Sequence, residues 1–300
     1  MSEAERRCGT VALVGAPNSG KSTLLNQLVG AKVSIVSPKV QTTRSRVLGI
    51  VIENAAQLIL VDTPGIFAPK RRLERAMVAA AWAEAEDADQ VVVLIDAARG
   101  VEPEAQRIVD GLKAAGRRAV LALNKVDLVD PRSLLPLTDR LRREGIFDAV
   151  FMISALTGDG VADLRRHLAA VLPAGPWLYP EDQLTDLPQR LMAAEAVREQ
   201  VFLQLHQELP YATTVETDSW EEREDGSVRI AVTVHVQRAS QRAIVLGKGG
   251  SRIKAIGERA RAELERMFGR RVHLFLFVRV SENWTEDRER YKAMGLEFES

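Results

Sequence analysis

Eight residues, Gly15-Ala16-Pro17-Asn18-Ser19-Gly20-Lys21-Ser22, leave a chain of this length few ways to fold. Their flanks differ in kind. Thr10-Val11-Ala12-Leu13-Val14 is a short apolar run that reads as a buried strand. Thr23-Leu24-Leu25-Asn26-Gln27-Leu28 puts Leu24, Leu25 and Leu28 at helical spacing. A strand, a glycine loop and a helix in that order aim the unpaired N–H groups of a helix start, and their partial positive charge, at the loop. Such a loop binds phosphate. Gly15 and Gly20 let the backbone curl inward, Lys21 reaches the β- and γ-phosphates of a nucleotide, and the Ser22 hydroxyl is a Mg²⁺ ligand. Ala16, Pro17, Asn18, Ser19 and Thr23 complete the nucleotide-binding run.

Three further strand ends carry the matching chemistry. Val47–Ile52 and Gln57–Val61 read as strands joined by a turn at Glu53–Ala56, and the second runs into Asp62-Thr63-Pro64-Gly65. An Asp at that strand end can hold Mg²⁺ through water, and Gly65 frees a backbone N–H for the γ-phosphate. By itself this is a common turn. Thr63, Pro64 and Ile66 are expected to share the nucleotide contact. Ala119–Leu123 is another strand and ends in Asn124-Lys125-Val126-Asp127. Asp127 can accept from guanine N1–H and its 2-amino group. Asn124 can bond the base edge or brace the phosphate loop, and the Lys125 stem can lie over the ring. Adenine would leave the carboxylate unpaired, which selects strongly for guanine. After Ala149–Ile153 comes Ser154-Ala155-Leu156, whose backbone N–H groups can meet guanine O6. Asp96 also ends a strand, Val91–Ile95, and reads as a turn residue.

Helices are expected near Arg72–Glu86, Glu102–Ala115, Ser133–Glu144 and Val161–Leu172. Their alternation with strands predicts a doubly wound, mostly parallel α/β sheet with the ligand at its carboxyl edge. Val33–Arg46, with Ser34, Ser37, Pro38, Gln41, Thr42 and Thr43, has no period and reads as a mobile loop. Pro173, Pro176, Pro180 and Pro188 mark a linker. We therefore expect domains at 1–174 and 189–300, with 175–188 between them.

The second half predicts a helix at Arg190–Leu209, a strand at Tyr211–Ser219, an acidic turn at Glu221–Gly226 and a half-buried strand from Val228. A helix at Ser240–Leu246, Gly247-Lys248-Gly249-Gly250, a helix carrying Ile253 to Met267 and a strand from Val272 follow. Phe275 and Phe277 share the other face of that last strand and are expected to pack against the neighbouring domain. A G-x-x-G between two helices is the RNA-binding loop of KH domains, because glycines let a nucleic-acid backbone approach a helix start. The chain has equal numbers of Lys+Arg and Asp+Glu, 41 each, so its overall charge points to no partner. The stretch Arg238–Arg271 is locally basic. Arg242, Ile244, Gly247, Lys248, Gly249, Gly250, Arg252 and Lys254 are the candidate RNA contacts.

Composition closes off other classes. The chain has one cysteine, Cys8, so no intrachain disulfide can form, and a reducing compartment fits. Met1–Arg7 lacks the apolar core of a signal peptide, and no apolar run approaches the ~18 residues of a membrane span. The four histidines, His167, His206, His235 and His273, are scattered and form no zinc pattern.

A guanine-type P-loop domain joined to a KH-like domain of type II resembles the Era family of bacterial ribosome-assembly GTPases. The resemblance spans nearly the whole chain and rests on the motifs above, with Gln41-Thr42-Thr43-Arg44 and Arg242–Gly250. It implies GTP hydrolysis with Mg²⁺, binding near the 3′ end of 16S rRNA, action in 30S assembly as a monomer, and a cytoplasmic protein loosely attached to the inner membrane face. It also implies that Thr42 or Thr43 ligates Mg²⁺, with Thr43 preferred, and that Lys21, Thr43 and Gly65 serve catalysis. Ile66 stands where Ras-type GTPases place a water-orienting glutamine. Asn18 resembles the P-loop asparagine of GTPases that use K⁺ in place of an arginine finger. The expected function is a GTP-gated, single-stranded-RNA-binding GTPase. The alternative is a membrane-associated signalling GTPase whose second domain binds protein.

Overall fold

The computed structural model describes residues 6–205 and 209–298. Residues 1–5, which hold most of the N-terminal stretch read for a signal peptide, lie outside the described residues. So do residues 206–208, near the end of the helix expected to reach Leu209, and His206 with them. The chain divides into two compact units. The first lies within Met1–Ser34, Thr43–Asp186 and Lys292–Ser300, the second within Ile35–Thr42 and Leu187–Tyr291.

In the first unit, β1 (Arg7–Gly15) leads into α1 (Lys21–Val29). The antiparallel pair β2 (Val47–Glu53) and β3 (Ala56–Asp62) comes next, then α2 (Arg72–Asp87) and β4 (Gln90–Asp96). The unit continues with α3 (Pro103–Ala114), β5 (Ala119–Asn124), α4 (Pro131–Arg142), β6 (Phe147–Ile153) and α5 (Val161–Val171). The strand order is β2-β3-β1-β4-β5-β6, and all pairs except β2–β3 are parallel. β1 lies between β3 and β4, where the winding direction reverses, and that crevice is where such sheets bind ligands. The strand period of two sorts its side chains. Val11 and Leu13 enter a core with Leu24, Leu28, Leu164 and Leu168, whereas Ala12 and Val14 enter another with Ala81, Ala85, Ile108 and Leu112. Burial on both faces explains why these strands read as continuous apolar runs.

The residues expected to form a linker are not free. Gln57, fully buried on β3, accepts from the Leu178 and Tyr179 N–H groups (2.8 and 3.0 Å) and donates to the Tyr179 carbonyl (2.8 Å). Trp177 and Tyr179 pack with Cys8, Leu48, Ile59 and Val61.

The second unit runs α6 (Gln189–Gln204), β7 (Thr213–Glu222), β8 (Val228–Val236), α7 (Ala239–Leu246), α8 (Ser251–Phe268) and β9 (Val272–Val280). Its sheet order is β7-β8-β9, with β7 antiparallel and β9 parallel to β8. Val228, Ile230, Val232, Val234 and Val236 line one face and form a core with α6 and α8. The other face of β8, expected to be solvent-facing, is also covered. Thr233 donates to Asp218 (2.6 Å), and His235 meets Ser281 (2.9 Å) and Glu216 (3.3 Å). A one-turn helix after β9 buries Trp284, and α9 (Arg288–Ala293) follows it. Among the described residues no helix is long and apolar enough to cross a membrane.

Candidate nucleotide site and nucleic-acid interface

The glycine loop joins β1 to α1 at the carboxyl edge of the sheet. Gly20 has φ 99°, and a Cβ there would lie 2.2 Å from the Asn124 side-chain nitrogen, so only glycine fits. Lys21 is buried and donates to the Gly15 and Ala16 carbonyls, both at 3.1 Å. Loss of water pushes its amine down to about 8, against the opposing pull of Asp62.

Asp62, at the end of β3, is fully buried, and three hydroxyls converge on its Oδ2. Ser22 donates at 2.6 Å, Ser34 at 2.9 Å and Thr43 at 3.1 Å, with Ser22 and Thr43 2.9 Å apart. Burial raises the Asp62 pKa, and Lys21 with the three hydroxyls opposes it. Asp62 Oδ1 and Ser19 Oγ, both buried, have no hydrogen-bond partner among the described residues. A hard oxygen set of one carboxylate and two adjacent hydroxyls, with an orphaned carboxylate oxygen, fits Mg²⁺.

The geometry divides the two threonines. Thr43 Oγ1 sits on Ser22 and Asp62, whereas Thr42 Oγ1 donates to the Lys39 carbonyl (2.6 Å) and meets Ser37 Oγ (2.6 Å). The sequence gives no hint of this role for Ser34, because a serine in an aperiodic loop carries no local signal of a carboxylate 28 residues away.

Within Asp62–Ile66, Thr63 turns away from the crevice and donates to the Leu13 carbonyl (2.8 Å). Gly65 lies against the phosphate loop, where a Cβ would be 2.9 Å from the Pro17 nitrogen. Ile66, expected to share the nucleotide contact, follows Gly65 directly. Its side chain is fully buried in the core, and its N–H donates to the Gly15 carbonyl (3.2 Å).

At the base end, Asn124 is 1% exposed and spans two loops, donating to the Ser19 carbonyl (2.8 Å) and accepting the Ala155 N–H (2.9 Å). Both ends of the Asn124 amide are thus engaged in bracing these loops, and the Ala155 N–H with them. Leu156, 77% exposed, is the next residue in that loop. Lys125 donates to the Asn18 carbonyl (2.8 Å) and to Asp96 Oδ2 (2.6 Å). Val126 opens a single helical turn and Asp127 is exposed on it; among the described residues its carboxylate makes no hydrogen bond or ion pair.

In the second unit, Gly247, Gly249 and Gly250 have φ of 72°, 59° and 78°, and nothing lies within 4 Å of a Cβ built on Gly249 or Gly250. The loop backbone is open to solvent ahead of the 18-residue helix α8. Arg242, Ile244, Lys248 and Lys254 lie around it with at least part of each side chain in solvent. Arg252 is half-buried and donates to the Ile244 carbonyl (3.0 Å), so it braces the loop as well. Phe275 and Phe277, expected to be packed, are 42% and 50% exposed.

Both regions match known families. Residues 10–125 match the model of the 50S ribosome-binding GTPase family, and residues 208–285 match that of the KH domain. The chain is 60% identical over 295 residues to the GTPase Era of a Bradyrhizobium species, covering 98% of this chain and 96% of that one. It is 57% identical over 294 residues to the Brucella suis GTPase Era, covering 98% and 94%. Among crystal structures, a variant of Aquifex aeolicus Era bound to GDP and AlF4⁻ superposes with a TM-score of 0.91 at 40% identity, over 96% of this chain and 99% of that one. Era in complex with MgGDPNP and nucleotides 1506–1542 of 16S ribosomal RNA gives the same score and identity, over 97% and 99%. The reading of the second domain as a protein-binding module of a membrane signalling switch is not favoured. A P-loop sheet with a complete guanine-nucleotide motif set, joined to a KH fold and matched end to end by these relatives, places the chain in the Era family of GTPases.

Proposed function

We propose that this protein hydrolyses GTP and that its GTP-bound form binds single-stranded RNA near the 3′ end of 16S rRNA during small-subunit assembly. The observation that carries this reading is the loop between α1 and β2. Its ends, Ser34 and Thr43, place their hydroxyls on Asp62. Its middle, Ile35–Thr42, belongs to the second unit: the Val36 N–H donates to Glu199 on α6 (2.8 Å), and Lys39 donates to the Phe202 and Leu205 carbonyls. A rearrangement of the hydroxyl ends therefore pulls on residues packed against α6. That is a physical route for nucleotide state to bias the RNA-binding unit.

Ser22, Thr43 and Asp62 would hold Mg²⁺, which neutralises charge on the β- and γ-phosphates when bound. Lys21 supplies a buried cation to the same oxygens, and the Gly65 N–H faces the γ-phosphate. Water attacks the γ-phosphorus, the bond to the β-bridging oxygen breaks, and GDP leaves with phosphate. Ile66 offers no polar group to orient that water, so intrinsic turnover is slow and rises when an external group or RNA completes the site. Asn18, with φ 63°, is the residue through which K⁺ would assist. Faster hydrolysis in K⁺ than in Na⁺ is expected, and equal rates remove that role. The cytoplasmic face of the membrane and the 30S particle are the expected settings.

Gly249→Asp tests the RNA half. Asp tolerates a left-handed backbone, and a Cβ meets nothing there, so the fold should persist. The added charge opposes phosphate, so RNA affinity should fall at least tenfold with GTP affinity unchanged. Wild-type RNA affinity in this variant removes the loop from the interface. A wild-type chain that captures protein but no RNA favours the protein-binding alternative.

A further inference from the structure

Asp96 closes β4, and part of its role is local: Oδ1 accepts the Ala98 N–H at 3.0 Å. Its other oxygen reaches further. Oδ2 accepts from Lys125 Nζ at 2.6 Å, in a pair whose side chains are 10% and 29% exposed. The same Nζ donates to the Asn18 carbonyl at 2.8 Å. Arg99, the other cation beside Asp96, is 3.8 Å away at Nε and 53% exposed, so it does not replace Lys125. Lys125 has φ 66° and ψ 37°, a left-handed conformation that a residue with a Cβ adopts only when its surroundings hold it there.

We propose that Asp96 is a positioning residue for guanine-nucleotide binding that acts through Lys125. The proposal rests on reading Asn124–Asp127 as the guanine site. The Asp96 carboxylate and the Asn18 carbonyl fix the ammonium at the rim of the phosphate loop, which leaves the four-carbon stem extended along the mouth of the base site. A free lysine surrenders rotamer freedom when a ring lands on it. One tethered at its tip surrendered that freedom on folding, so the nucleotide does not lose affinity to it. The tether also joins the end of β4 to the phosphate loop through one nitrogen. Releasing it loosens the base side and the phosphate side together. The γ-phosphate plays no part, so GDP and GTP are affected alike.

The test is stopped-flow release of a fluorescent GDP from the full chain with Mg²⁺, using wild type, Asp96→Asn, Lys125→Met and the double variant. Asp96→Asn keeps an oxygen for the Ala98 N–H and removes the ion pair. Lys125→Met keeps an apolar stem and removes Nζ. Each single change should speed release about 10-fold, and the double variant should be no faster than Lys125→Met, because the two residues act as one unit. Asp96→Ser, which can also cap the turn without charge, should behave as Asp96→Asn and serves if the latter folds poorly. Single effects that multiply to about 100-fold in the double variant, or release from Asp96→Asn within twofold of wild type, overturn the proposal. A wild-type protein with no preference for GDP over ADP overturns the guanine-site reading beneath it, which the same instrument reports separately.

Discussion

Asn124→Ala separates bracing from base reading. The amide is almost fully buried and both of its ends are used, by the Ser19 carbonyl at 2.8 Å and the Ala155 N–H at 2.9 Å. Ser19 and Ala155 are each 2% exposed, so truncation strands a buried acceptor and a buried donor. An orphaned buried group costs about 1–3 kcal/mol, which gives ~2–6 kcal/mol for the pair. A water entering the space left by the amide satisfies part of this and puts the expected loss at about 2–4 kcal/mol. In a domain of this size 1 kcal/mol moves the melting midpoint by about 2–4 °C, so the first unit should melt roughly 4–16 °C lower. The assay is differential scanning calorimetry without nucleotide, because the brace is made entirely by groups of this chain. Asp127→Asn is the control. Its carboxylate is exposed and unpaired among the described residues, so its change should stay within about 0.5 kcal/mol. An Asn124→Ala midpoint within about 2 °C of wild type, or an equal loss in Asp127→Asn, would refute the division of labour.

Asp127→Asn should instead shift preference from GTP towards XTP, since an amide now faces a ring edge built to meet a carboxylate; unchanged GTP preference in competition binding counts against Asp127 as the base reader. Lys21 gives a pH signature. Burial pushes its amine from the ordinary 10.5 down to about 8, so binding phosphate above pH 8 must restore the proton. GDP affinity should be flat below pH 8, then fall towards tenfold per pH unit with up to one proton taken up per GDP. Calorimetry at pH 9 in buffers of different ionisation enthalpy checks this, and the absence of proton uptake contradicts it. Ser34→Ala removes one of three hydroxyls from Asp62 and should weaken Mg²⁺-dependent retention of GTP several-fold while leaving Mg²⁺-free GDP binding in place; equal losses with and without Mg²⁺ would count against a role at the metal.

The elements were legible because their signals are local. A buried parallel strand is an apolar run, an amphipathic helix has its own period, and Gly15–Ser22 or Gly247–Gly250 states its loop in consecutive letters. What the sequence hid is long-range and polar. Ser34 reaches Asp62, Asp96 reaches Lys125 and Gln57 grips residues 178–179 only after the sheet has brought distant segments together. The prolines of 173–188 signal irregular backbone. They do not signal that Trp177 and Tyr179 will find an apolar seat beside β3. The alternation of Val228–Val236 marked one buried face, but the burial of Thr233 and His235 on the other depends on Asp218, Glu216 and Arg290, which come from other elements. Ile66 reads as a ligand contact only by its place after Gly65, and nothing local foretells that its side chain joins the core.

The central claim is that guanine-nucleotide state sets RNA affinity. Filter-binding titration of a single-stranded RNA carrying the 16S 3′-terminal sequence, with the full chain loaded either with a non-hydrolysable GTP analogue or with GDP and Mg²⁺ at one salt concentration, tests it most directly. The account predicts at least tenfold tighter binding with the analogue, because Ser34 and Thr43, which sit on Asp62, would rearrange around Mg²⁺ and the γ-phosphate and shift the Ile35–Thr42 segment between them against α6. Equal affinity in the two states would contradict the coupling, and with it the claim that this GTPase site governs the RNA-binding unit.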